Sequence, residues 1–564
     1  MSQFVNKTVE DIKEIILAAA GKAVADGKFP GEPLPAFSVE IPADRAHGDY
    51  AVNAAMVWAR SLKSAPRKIA ETLLSYADFS GSCIERFEIA GPGFINLFLS
   101  DRFYAGVLEE IRERGEDYGS SDMGKGQKVM VEFVSANPTG PMHIGNARGG
   151  ALGDCLAAVL EKAGYQVSRE FYVNDAGNQI QKFGNSLSAR YLQIYKGEEN
   201  VPFPEDGYQG ADIKARAAEF AEIHGDAYVE KSEEERRQAL VDYALPKNID
   251  GLREDLAAYR IQYDTWFRES SLYDGGELQA VLDDMKARGL TYEKEGALWY
   301  KATEHGGEKD EVLVRANGNP TYFAGDIAYH HNKFAVRGFD KVINVWGADH
   351  HGHVARLKGA MDAIGLDGSK LDIVLMQLVR LVRDGEVVRV SKRTGKSITL
   401  KTLLDEVPVD AARFIFNMRE PNTHLEFDLD LAVEQSSQNP VYYVQYAHAR
   451  ICSLFKNLKA EGVEPRACST EELCALRAPE ERELIRHLAG FTGEVEAAAK
   501  AYDPARMTRY VLELATLFHK FYTACRIKGE AEPLMQARLA LASATASVLR
   551  NVLGMLKITA PESM

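Results

Sequence analysis

The sequence predicts a multidomain α/β protein in which a parallel-sheet domain with a helical insertion lies between an N-terminal α+β domain and a C-terminal all-α helical bundle. Strand-like and helical segments alternate in the middle of the chain, and strand signals almost disappear after residue 438. The length of 564 residues allows three or four domains at roughly 150 residues each. We therefore predict domains at residues 1–115, 126–438 and 439–564, with an insertion at about residues 185–275.

The overall composition is that of a globular protein from a reducing compartment. Hydrophobic residues make up 46% of the chain and charged residues 26%. No apolar stretch has the length and continuity of a signal peptide or a membrane span, so we expect a cytoplasmic protein with no membrane partner. The six cysteines form no CxxC pair, which argues against a disulfide framework and against a cysteine-based zinc site.

The charge of the chain is unevenly distributed. The net charge of −15 argues against nucleic acid as a partner, because phosphate binding needs lysine and arginine. From Val441 to Met564, however, the chain has 16 lysines and arginines against 14 acidic residues. A polyanion would therefore be held by local patches, and the C-terminal region is one place for them.

The first 115 residues combine helical stretches with a predicted β-hairpin. The segment IERFEIAGPGFINLFLS alternates as strands do around the turn Gly91-Pro92-Gly93. The polar, glycine-rich stretch RGEDYGSSDMGKGQK that follows predicts a linker. Taken alone, these residues indicate no chemistry.

The middle domain opens with KVMVEFV, a short apolar run typical of a buried parallel strand. A loop, SANPTGPMHIGN, and a helical run, ARGGALGDCLAAVLEKAGY, come next, and this order of strand, loop and helix is typical of nucleotide-binding α/β domains. Further strands are predicted at QVSREFYV, KVINVW and DIVLMQLV. The charged helical stretch from Asp212 to Arg260 interrupts the alternation and indicates the insertion.

The loop before that first helix has residues suited to a nucleotide. A helix N-terminus offers unpaired N–H groups to phosphate oxygens, and Gly145 leaves room for a base or ribose against the backbone. His143 and Asn146 are three residues apart, so both can donate to phosphates from one face. A single histidine is more often an ordinary loop residue, but its position between strand and helix favours a functional role.

Two segments of this domain resemble the signature motifs of class I aminoacyl-tRNA synthetases. PMHIGN resembles the HIGH motif, with Asn146 at the last position where the motif has histidine, and SANPTGP is similar to the arginyl-tRNA synthetases. RVSKRTGK, residues 389–396, is similar to the KMSKS loop. The resemblance implies a Rossmann-like catalytic domain in which His143, Asn146 and Lys392 act in catalysis, Lys392 by stabilising negative charge on the reacting phosphates.

The same resemblance implies two substrate sites. WGADHHGH is similar to the family's element for the ribose and adenine of ATP, and the implied ATP-binding residues are His143, Gly145, Asn146, Gly347, Asp349, His350, Ser391 and Lys392. PTYFAGDIAYH is similar to the element that contacts the arginine side chain, and the implied arginine-binding residues are Glu132, Ser135, Asn137, Tyr322 and Asp326.

The chemistry of arginine indicates which of these residues contacts which part of the substrate. A guanidinium is always charged and presents a planar fork of donors, so its pocket needs carboxylates. We assign Asp326 to the guanidinium and Asn137 to the α-amino and carboxylate end. Glu132 either faces the ligand or supports the pocket, and the sequence leaves both open.

Two other patterns suggest different chemistry and are set aside. Gly395-Lys396-Ser397 has the form of the end of a P-loop, but the glycine that a P-loop needs five residues earlier is Val390. Several histidines lie close together in YHHNK and WGADHHGH, yet their spacing matches no zinc motif and no cysteine is near. We expect no zinc and no protein-bound metal site.

The C-terminal domain indicates a surface for tRNA. Asn439-Pro440 is a favourable helix start, and VYYVQYAHARI then places Tyr446 and Arg450 on one helix face. An aromatic ring can stack on a base and an arginine can hold a phosphate, although a tyrosine in a helical bundle can equally be a packing residue. The segment resembles the family's anticodon-binding domain, which adds Met564 to the implied tRNA contacts, and the N-terminal domain resembles the one that contacts the tRNA elbow.

The resemblance implies an arginine–tRNA ligase that uses ATP with Mg²⁺, L-arginine and tRNA(Arg), with activation that needs bound tRNA, and we expect a monomer. Three alternatives stay open: a class I synthetase for another amino acid, a nucleotidylyltransferase with a HIGH-like loop, and a non-catalytic tRNA-binding paralogue. The helical C-terminal region counts against a small nucleotidylyltransferase. The presence of both His143 and Lys392 counts against the paralogue.

Overall fold

Three structural units follow one another in the computed structural model, which describes residues 2–388 and 398–564. The N-terminal unit packs helices against an antiparallel sheet. It consists of α1 (Gln3–Ala25), β1 (Val39–Glu40), β2 (Tyr50–Val52), α2 (Ala54–Trp58), α3 (Pro66–Tyr76), β3 (Ile84–Ala90), β4 (Phe94–Leu99) and α4 (Asp101–Arg114).

The predicted hairpin of the N-terminal unit is confirmed. β3 and β4 pair antiparallel across the turn, and the strand order of the sheet is β1-β2-β4-β3. Gly93 is needed in this turn because a Cβ atom there would lie 2.7 Å from the carbonyl carbon of Pro66.

The middle unit contains the parallel sheet and everything inserted into it. Its elements are β5 (Lys128–Glu132), α5 (Ile144–Lys162), β6 (Gln166–Val173), α6 (Gly177–Lys196), α7 (Ala211–His224), α8 (Glu233–Ala258), β7 (Thr265–Arg268), α9 (Ser270–Asp274), α10 (Glu277–Ala287), β8 (Thr291–Lys294), β9 (Ala297–Tyr300), β10 (Glu311–Val314), α11 (Tyr322–His331), β11 (Lys341–Gly347), α12 (His351–Ala363), β12 (Leu371–Met376), β13 (Val379–Arg383), β14 (Glu386–Val387), α13 (Leu400–Glu406), α14 (Val409–Phe416), β15 (Leu425–Asp428) and α15 (Leu429–Val433).

The parallel sheet has the strand order β12-β11-β5-β6-β7, with β5 at its centre. The strands predicted at KVMVEFV, QVSREFYV and KVINVW are confirmed as β5, β6 and β11. The strand predicted at DIVLMQLV is wrong in its second half: β12 ends at Met376, and Val379 begins β13 in a separate sheet with β14 and β15. α5 is buried along most of its length and lies so close to β5 that a Cβ atom on Gly153 would be 2.2 Å from the Phe133 ring.

The helical insertion stands between β6 and β7. The predicted helical stretch corresponds to α7 and α8, and these pack with α6 around their own apolar core, which includes Phe183, Tyr191 and Phe220. α8 begins with a capping box in which Ser232 and Glu235 satisfy each other's backbone N–H groups. The second half of α8 joins this insertion to the main core of the protein through Ile249, Leu252 and Leu256.

The C-terminal unit is helical, as predicted, and consists of α16 (Pro440–Ala460), α17 (Thr470–Leu473), α18 (Pro479–Ala489), α19 (Phe491–Ala501), α20 (Ala505–Ala524) and α21 (Glu532–Met555). Asn439 caps α16 through its side chain and Pro440 occupies the first turn. The stretch from Glu481 to Tyr502 is divided at Gly490 into α18 and α19. Within the described residues, no helix is both long and apolar enough to cross a membrane.

A buried arginine joins the middle and C-terminal units. Arg413 on α14 pairs with Asp154 on α5 at 2.5 Å, and both side chains are buried. The same guanidinium donates to the carbonyl oxygens of Leu556 at 2.7 Å and Tyr259 at 2.9 Å. One side chain thus connects the helix behind the nucleotide loop to the end of α21.

Candidate active site

A cavity of about 2020 Å³ opens at the carboxyl ends of β5, β6, β7 and β11. This edge is where ligands bind in open parallel sheets, because the loops that leave neighbouring strands converge there. The cavity brings together most of the residues predicted for ATP and arginine. Those that line it are Ser135, Asn137, His143, Gly145, Asn146, Tyr322, Asp326, Asp349 and His350.

The HIGN segment, residues 143–146, forms the start of α5, and two of its side chains cap the helix. His143 is the N-cap, and its Nδ1 accepts from the Gly145 N–H at 3.2 Å. The Asn146 Oδ1 atom accepts from the His143 N–H at 3.1 Å. The asparagine therefore stabilises the helix start through its oxygen, while its amide nitrogen is the group able to donate to a phosphate. Because Nδ1 is an acceptor, the proton of neutral His143 is on Nε2.

The residues after the KMSKS-like segment pair with this loop. His143 and Thr399 form an antiparallel bridge, and the Ile144 N–H donates to Ile398 O at 3.2 Å. The Leu400 N–H donates to Met142 O at 2.9 Å. Ser391 and Lys392 belong to residues 389–397, which lie outside the described residues.

Arg148 fixes the position of α5 through hydrogen bonds to backbone carbonyl oxygens of other segments. Its buried guanidinium donates to the carbonyl oxygens of Gln377 at 2.7 Å, Thr423 at 2.9 Å and Glu420 at 3.1 Å. Burial lowers the pKa of Arg148 to about 10, so the group stays charged near neutral pH. The side chain therefore ties the first turns of α5 to the two chain segments that flank the small β13–β15 sheet.

A strained turn precedes Asn137. Val134 and Ser135 have φ values of +68° and +41°, which are costly for residues with a Cβ atom. Ser135 holds the turn because its Oγ donates to Glu132 Oε1 at 2.9 Å and accepts from the Tyr172 N–H at 3.1 Å. Glu132 does not line the cavity, since it is only 6% exposed and its Oε2 is 2.5 Å from Lys333 Nζ. Its observed position is that of a support for the pocket.

A buried polar chain extends from this ion pair to α11. Lys333 donates to Asn344 Oδ1 at 3.2 Å, and the Asn344 amide nitrogen lies 3.1 Å from His330 Nε2. His330 Nδ1 lies 2.8 Å from the carbonyl oxygen of Asp326, which fixes its proton on Nδ1. Burial, followed by the charge of Lys333, lowers the pKa of His330 well below its ordinary value, so the ring stays neutral. The chain couples the strained turn to the helix that carries Asp326.

Asp326 and Tyr322 share one face of α11, as their spacing requires. Asp326 Oδ2 lies 2.8 Å from His353 Nε2, and His353 Nδ1 is 3.1 Å from an Arg356 nitrogen. Arg356 can only donate, so His353 has its proton on Nε2 and donates it to Asp326. Arg356 is itself paired with Glu311 at 2.5 Å. This series of contacts orients the Asp326 carboxylate at the cavity wall.

Several residues at the site were missed by sequence reasoning. Tyr172, Asn174, Glu269 and His353 line the cavity, and none was singled out. Glu269 follows directly on β7, so recognising that strand would have indicated it. Gly347, which was predicted to bind ATP, ends β11 and does not line the cavity; a Cβ atom there would lie 2.5 Å from Asp349 Oδ1.

The residues predicted to contact tRNA lie on the C-terminal unit, away from the cavity. Tyr446 is 42% exposed, and the Arg450 guanidinium lies 4.2 Å from the centre of the Tyr522 ring. Met564 is 51% exposed. The chain terminus is brought back to α16, because His448 Nδ1 lies 2.9 Å from the carbonyl oxygen of Pro561. The Tyr446 ring and the Arg450 cation share one face of α16, and the chain terminus packs against His448 on another side of the same helix.

Comparison with protein families identifies all three units. Residues 108–453 match the catalytic domain of class I tRNA synthetases of the arginine type, and residues 444–564 match the DALR anticodon binding domain. Residues 10–99 match the arginyl tRNA synthetase N terminal domain. The parallel sheet, its cavity and the HIGN helix are thus those of a class I tRNA synthetase.

Similar proteins agree over the full length. Arginine–tRNA ligases from Caldanaerobacter subterraneus subsp. tengcongensis and Acetivibrio thermocellus are 57% and 54% identical to the chain, each over 100% of both sequences. The arginyl-tRNA synthetase of Thermus thermophilus shares the fold with a TM-score of 0.73 at 22% identity, covering 99% of this chain and 100% of that one. The chain belongs to the arginyl-tRNA synthetase family.

Proposed function

We propose that the protein is an arginine–tRNA ligase, which activates L-arginine with ATP and transfers it to the 3′ end of tRNA(Arg). The observation that carries the proposal is the shared cavity. Its lining includes both the donors at the start of α5, which suit phosphates, and Asp326 and Tyr322, which suit a guanidinium. Membership of the family supports the same reaction.

The first step forms arginyl-adenylate. A carboxylate oxygen of arginine attacks the α-phosphorus of ATP, the bond from that phosphorus to the bridging oxygen breaks, and pyrophosphate leaves. His143, Asn146 and the N-terminus of α5 stabilise the charge on the phosphates, while Asn137 and Asp326 hold the amino acid at its two ends. The resemblance assigns Lys392 to the same charge.

The second step transfers the arginyl group. A hydroxyl of the 3′-terminal ribose of tRNA attacks the carbonyl carbon of the adenylate, AMP leaves with the electron pair of the broken carbon–oxygen bond, and the hydroxyl proton passes to the leaving phosphate or to solvent. Tyr446, Arg450 and Met564 are proposed to contact the tRNA from the C-terminal unit, and the N-terminal unit to contact its elbow. We further propose that adenylate formation requires bound tRNA.

Three properties complete the proposal. ATP enters with Mg²⁺, because phosphate oxygens and water supply most of the ligands that this ion prefers. The enzyme acts as a monomer. It works in the cytoplasm.

The decisive experiment is amino-acid-dependent ATP–pyrophosphate exchange with each of the twenty amino acids, with and without total tRNA. Exchange with arginine alone, and only when tRNA is present, is the expected result. If another amino acid supports exchange, the assignment of the fold stands and the assignment of Asp326 to the arginine guanidinium is wrong. No exchange under any condition, with tRNA still bound, would favour the non-catalytic paralogue.

Replacing Lys392 with alanine tests its implied role. Exchange should fall by a factor of about 10³ or more, because a cation at the reacting phosphates is lost. Binding of tRNA, measured by filter retention, should persist. Lys370→Ala, at an exposed position outside the cavity, is the matched control and should retain full activity. Unchanged exchange in the Lys392 variant would refute the role.

A further inference from the structure

Asp410 lies where three parts of the protein meet. It belongs to the first turn of α14, and only 16% of its side chain is exposed. Arg260, which follows the insertion helix α8, pairs with Asp410 Oδ1 at 2.5 Å and donates to the carbonyl oxygen of Lys557 at 2.8 Å. The Asp410 carboxylate therefore lies beside the ends of both α8 and α21.

The other donors to Asp410 come from the unit that is proposed to bind tRNA. Gln445 on α16 donates through Nε2 to Asp410 Oδ2 at 2.8 Å and to the carbonyl oxygen of Thr559 at 3.0 Å. The Thr559 N–H donates to Asp410 Oδ1 at 3.2 Å, and its hydroxyl donates to Oδ2. One carboxylate thus accepts from α16 and from the C-terminal tail, residues 559–564.

Both of these partners lie next to residues proposed to contact tRNA. Gln445 directly precedes Tyr446 on α16, and the tail that starts at Thr559 ends at Met564. The tail has no helix or strand of its own, so its position depends on contacts with α14 and α16. A tRNA bound against Tyr446 and Met564 therefore acts on the two segments that Asp410 holds together.

A short path joins α14 to the HIGN segment. Only Val407 and Pro408 separate α14 from α13, and α13 begins at Leu400, whose N–H donates to Met142 O at 2.9 Å. The residue before it, Thr399, forms the antiparallel bridge with His143. Both helices bury apolar side chains in the same core, and close-packed interiors transmit displacements from one helix to the next.

Arg413, one turn further along α14, differs from Asp410 in what it contacts. Arg413 is fully buried, pairs with Asp154 and otherwise donates to backbone carbonyl oxygens. Asp410 instead accepts from a side chain of α16 and from the tail. Of these two charged residues of α14, Asp410 is thus the one that connects the helix to the segments proposed to contact tRNA.

We propose that Asp410 couples tRNA binding on the C-terminal unit to the geometry of the HIGN segment, and so contributes to the tRNA requirement of adenylate formation. The coupling rests on the proposed function, which includes that requirement, and adds a residue and a route to it. Bound tRNA fixes the positions of Gln445 and Thr559, Asp410 transfers them to α14, and α13 transfers them to the bridge at His143. Asp410 does not line the cavity, so it acts as a positioning residue.

An asparagine at this position would keep the shape of Asp410 and break the junction. A carboxylate accepts at both oxygens, whereas an amide accepts at one atom and donates at the other. In one orientation the amide nitrogen would meet the Arg260 guanidinium, and in the other it would meet the Gln445 amide nitrogen. Both of these groups are donors, so one contact is lost in either orientation.

The test measures single-turnover adenylate formation at saturating tRNA(Arg), with tRNA affinity measured by filter retention and folding by urea unfolding. In Asp410→Asn the rate should fall by about tenfold, a typical coupling between two sites, while the affinities for tRNA and arginine change by less than about twofold. Asp405→Asn, the same change at an exposed position of α13, is the matched control and should equal the wild type.

A second variant tests the route and leaves the acid in place. Thr559→Val removes the hydroxyl that donates to Asp410 and keeps the shape of the side chain. It should lower the rate by about threefold at unchanged tRNA affinity. The double variant Asp410→Asn/Thr559→Val should lose no more than Asp410→Asn alone, because residues on one route are not additive. A purely structural role would instead give losses that add and that follow the stability in urea.

An unchanged rate in folded Asp410→Asn, or a rate that returns to the wild-type value as more tRNA is added, would overturn the coupling and leave the proposed function intact. Additive losses in the double variant would do the same. If Asp410→Asn does not fold, an unchanged rate in Thr559→Val overturns the coupling. A wild-type enzyme that forms the adenylate equally well without tRNA would overturn both the tRNA requirement and the coupling. Absence of arginine-dependent adenylate formation in the wild type would instead overturn the proposed function.

Discussion

Replacing Lys333 with methionine should expose how much the active site depends on its buried ion pair. Lys333 is fully buried, and its Nζ lies 2.5 Å from Glu132 Oε2. It lies in a π-helical turn, Asn332–Val336. Methionine fills the space but leaves Glu132 buried without a cation. Breaking a buried pair on one side costs about 3–5 kcal/mol, and we expect a loss of that size in the free energy of unfolding.

The same substitution should also weaken arginine binding. Glu132 accepts the hydrogen bond from Ser135 that holds the left-handed turn at Val134 and Ser135. A carboxylate that moves toward water releases this turn, and Asn137 moves with it. The KM for arginine should therefore rise even where the variant is fully folded.

Urea unfolding followed by tryptophan fluorescence is the appropriate assay, because Trp266, Trp299 and Trp346 all lie in the middle unit. The control is the double variant Glu132→Gln/Lys333→Met, in which no charge is left unpaired. It should recover a large part of the lost stability. If the single variant unfolds at the same urea concentration as the wild type, or if the double variant is no better than the single one, the electrostatic argument is refuted.

Two further substitutions test the supports of the site and the tRNA face. Arg148→Met should leave three carbonyl oxygens without their donor and lower the rate of single-turnover adenylate formation by about tenfold or more. Arg148→Lys should restore part of that rate. Equal rates in the wild type and both variants would refute the role of Arg148 in positioning α5. Tyr446→Ala should weaken tRNA binding in a filter assay by about tenfold, the value of one lost base stack, without changing the KM for arginine at saturating tRNA. Tyr195→Ala, at another exposed tyrosine, should bind tRNA normally, and equal affinity in both variants would show that Tyr446 only packs.

The parts of the fold that the sequence predicts are those with a strong local pattern. β5 and α5 are recognisable because an apolar, β-branched run is followed by a glycine-rich loop and a long helical period. β7 has only four residues, Thr265–Arg268, at the edge of the sheet, which is too short for a pattern to emerge. Glu269 could not be assigned to the cavity without that strand.

The residues that hold the active-site side chains in place make contacts that cannot be predicted from their spacing in the sequence. Glu132 and Lys333 are 201 residues apart, and Arg148 meets carbonyl oxygens more than two hundred residues away. Backbone carbonyls have no sequence signature at all, so Arg148 could not be recognised as a fixed point. The predicted cavity residues were found because family motifs name them, whereas the residues that hold them in place follow only from tertiary structure.

The contact of Arg413 with Asp154, Tyr259 and Leu556 has a consequence for protein engineering. The helix that starts at the nucleotide loop also provides part of the seat for the tRNA-binding unit, so the two cannot be exchanged independently. A chimera that takes its anticodon-binding unit from a distant relative would place a different surface against α5. It would disrupt the hydrogen bonds of Arg413, a cation that is fully buried. A functional exchange of this unit therefore requires the contacting face of α5, including Asp154, to be exchanged together with it.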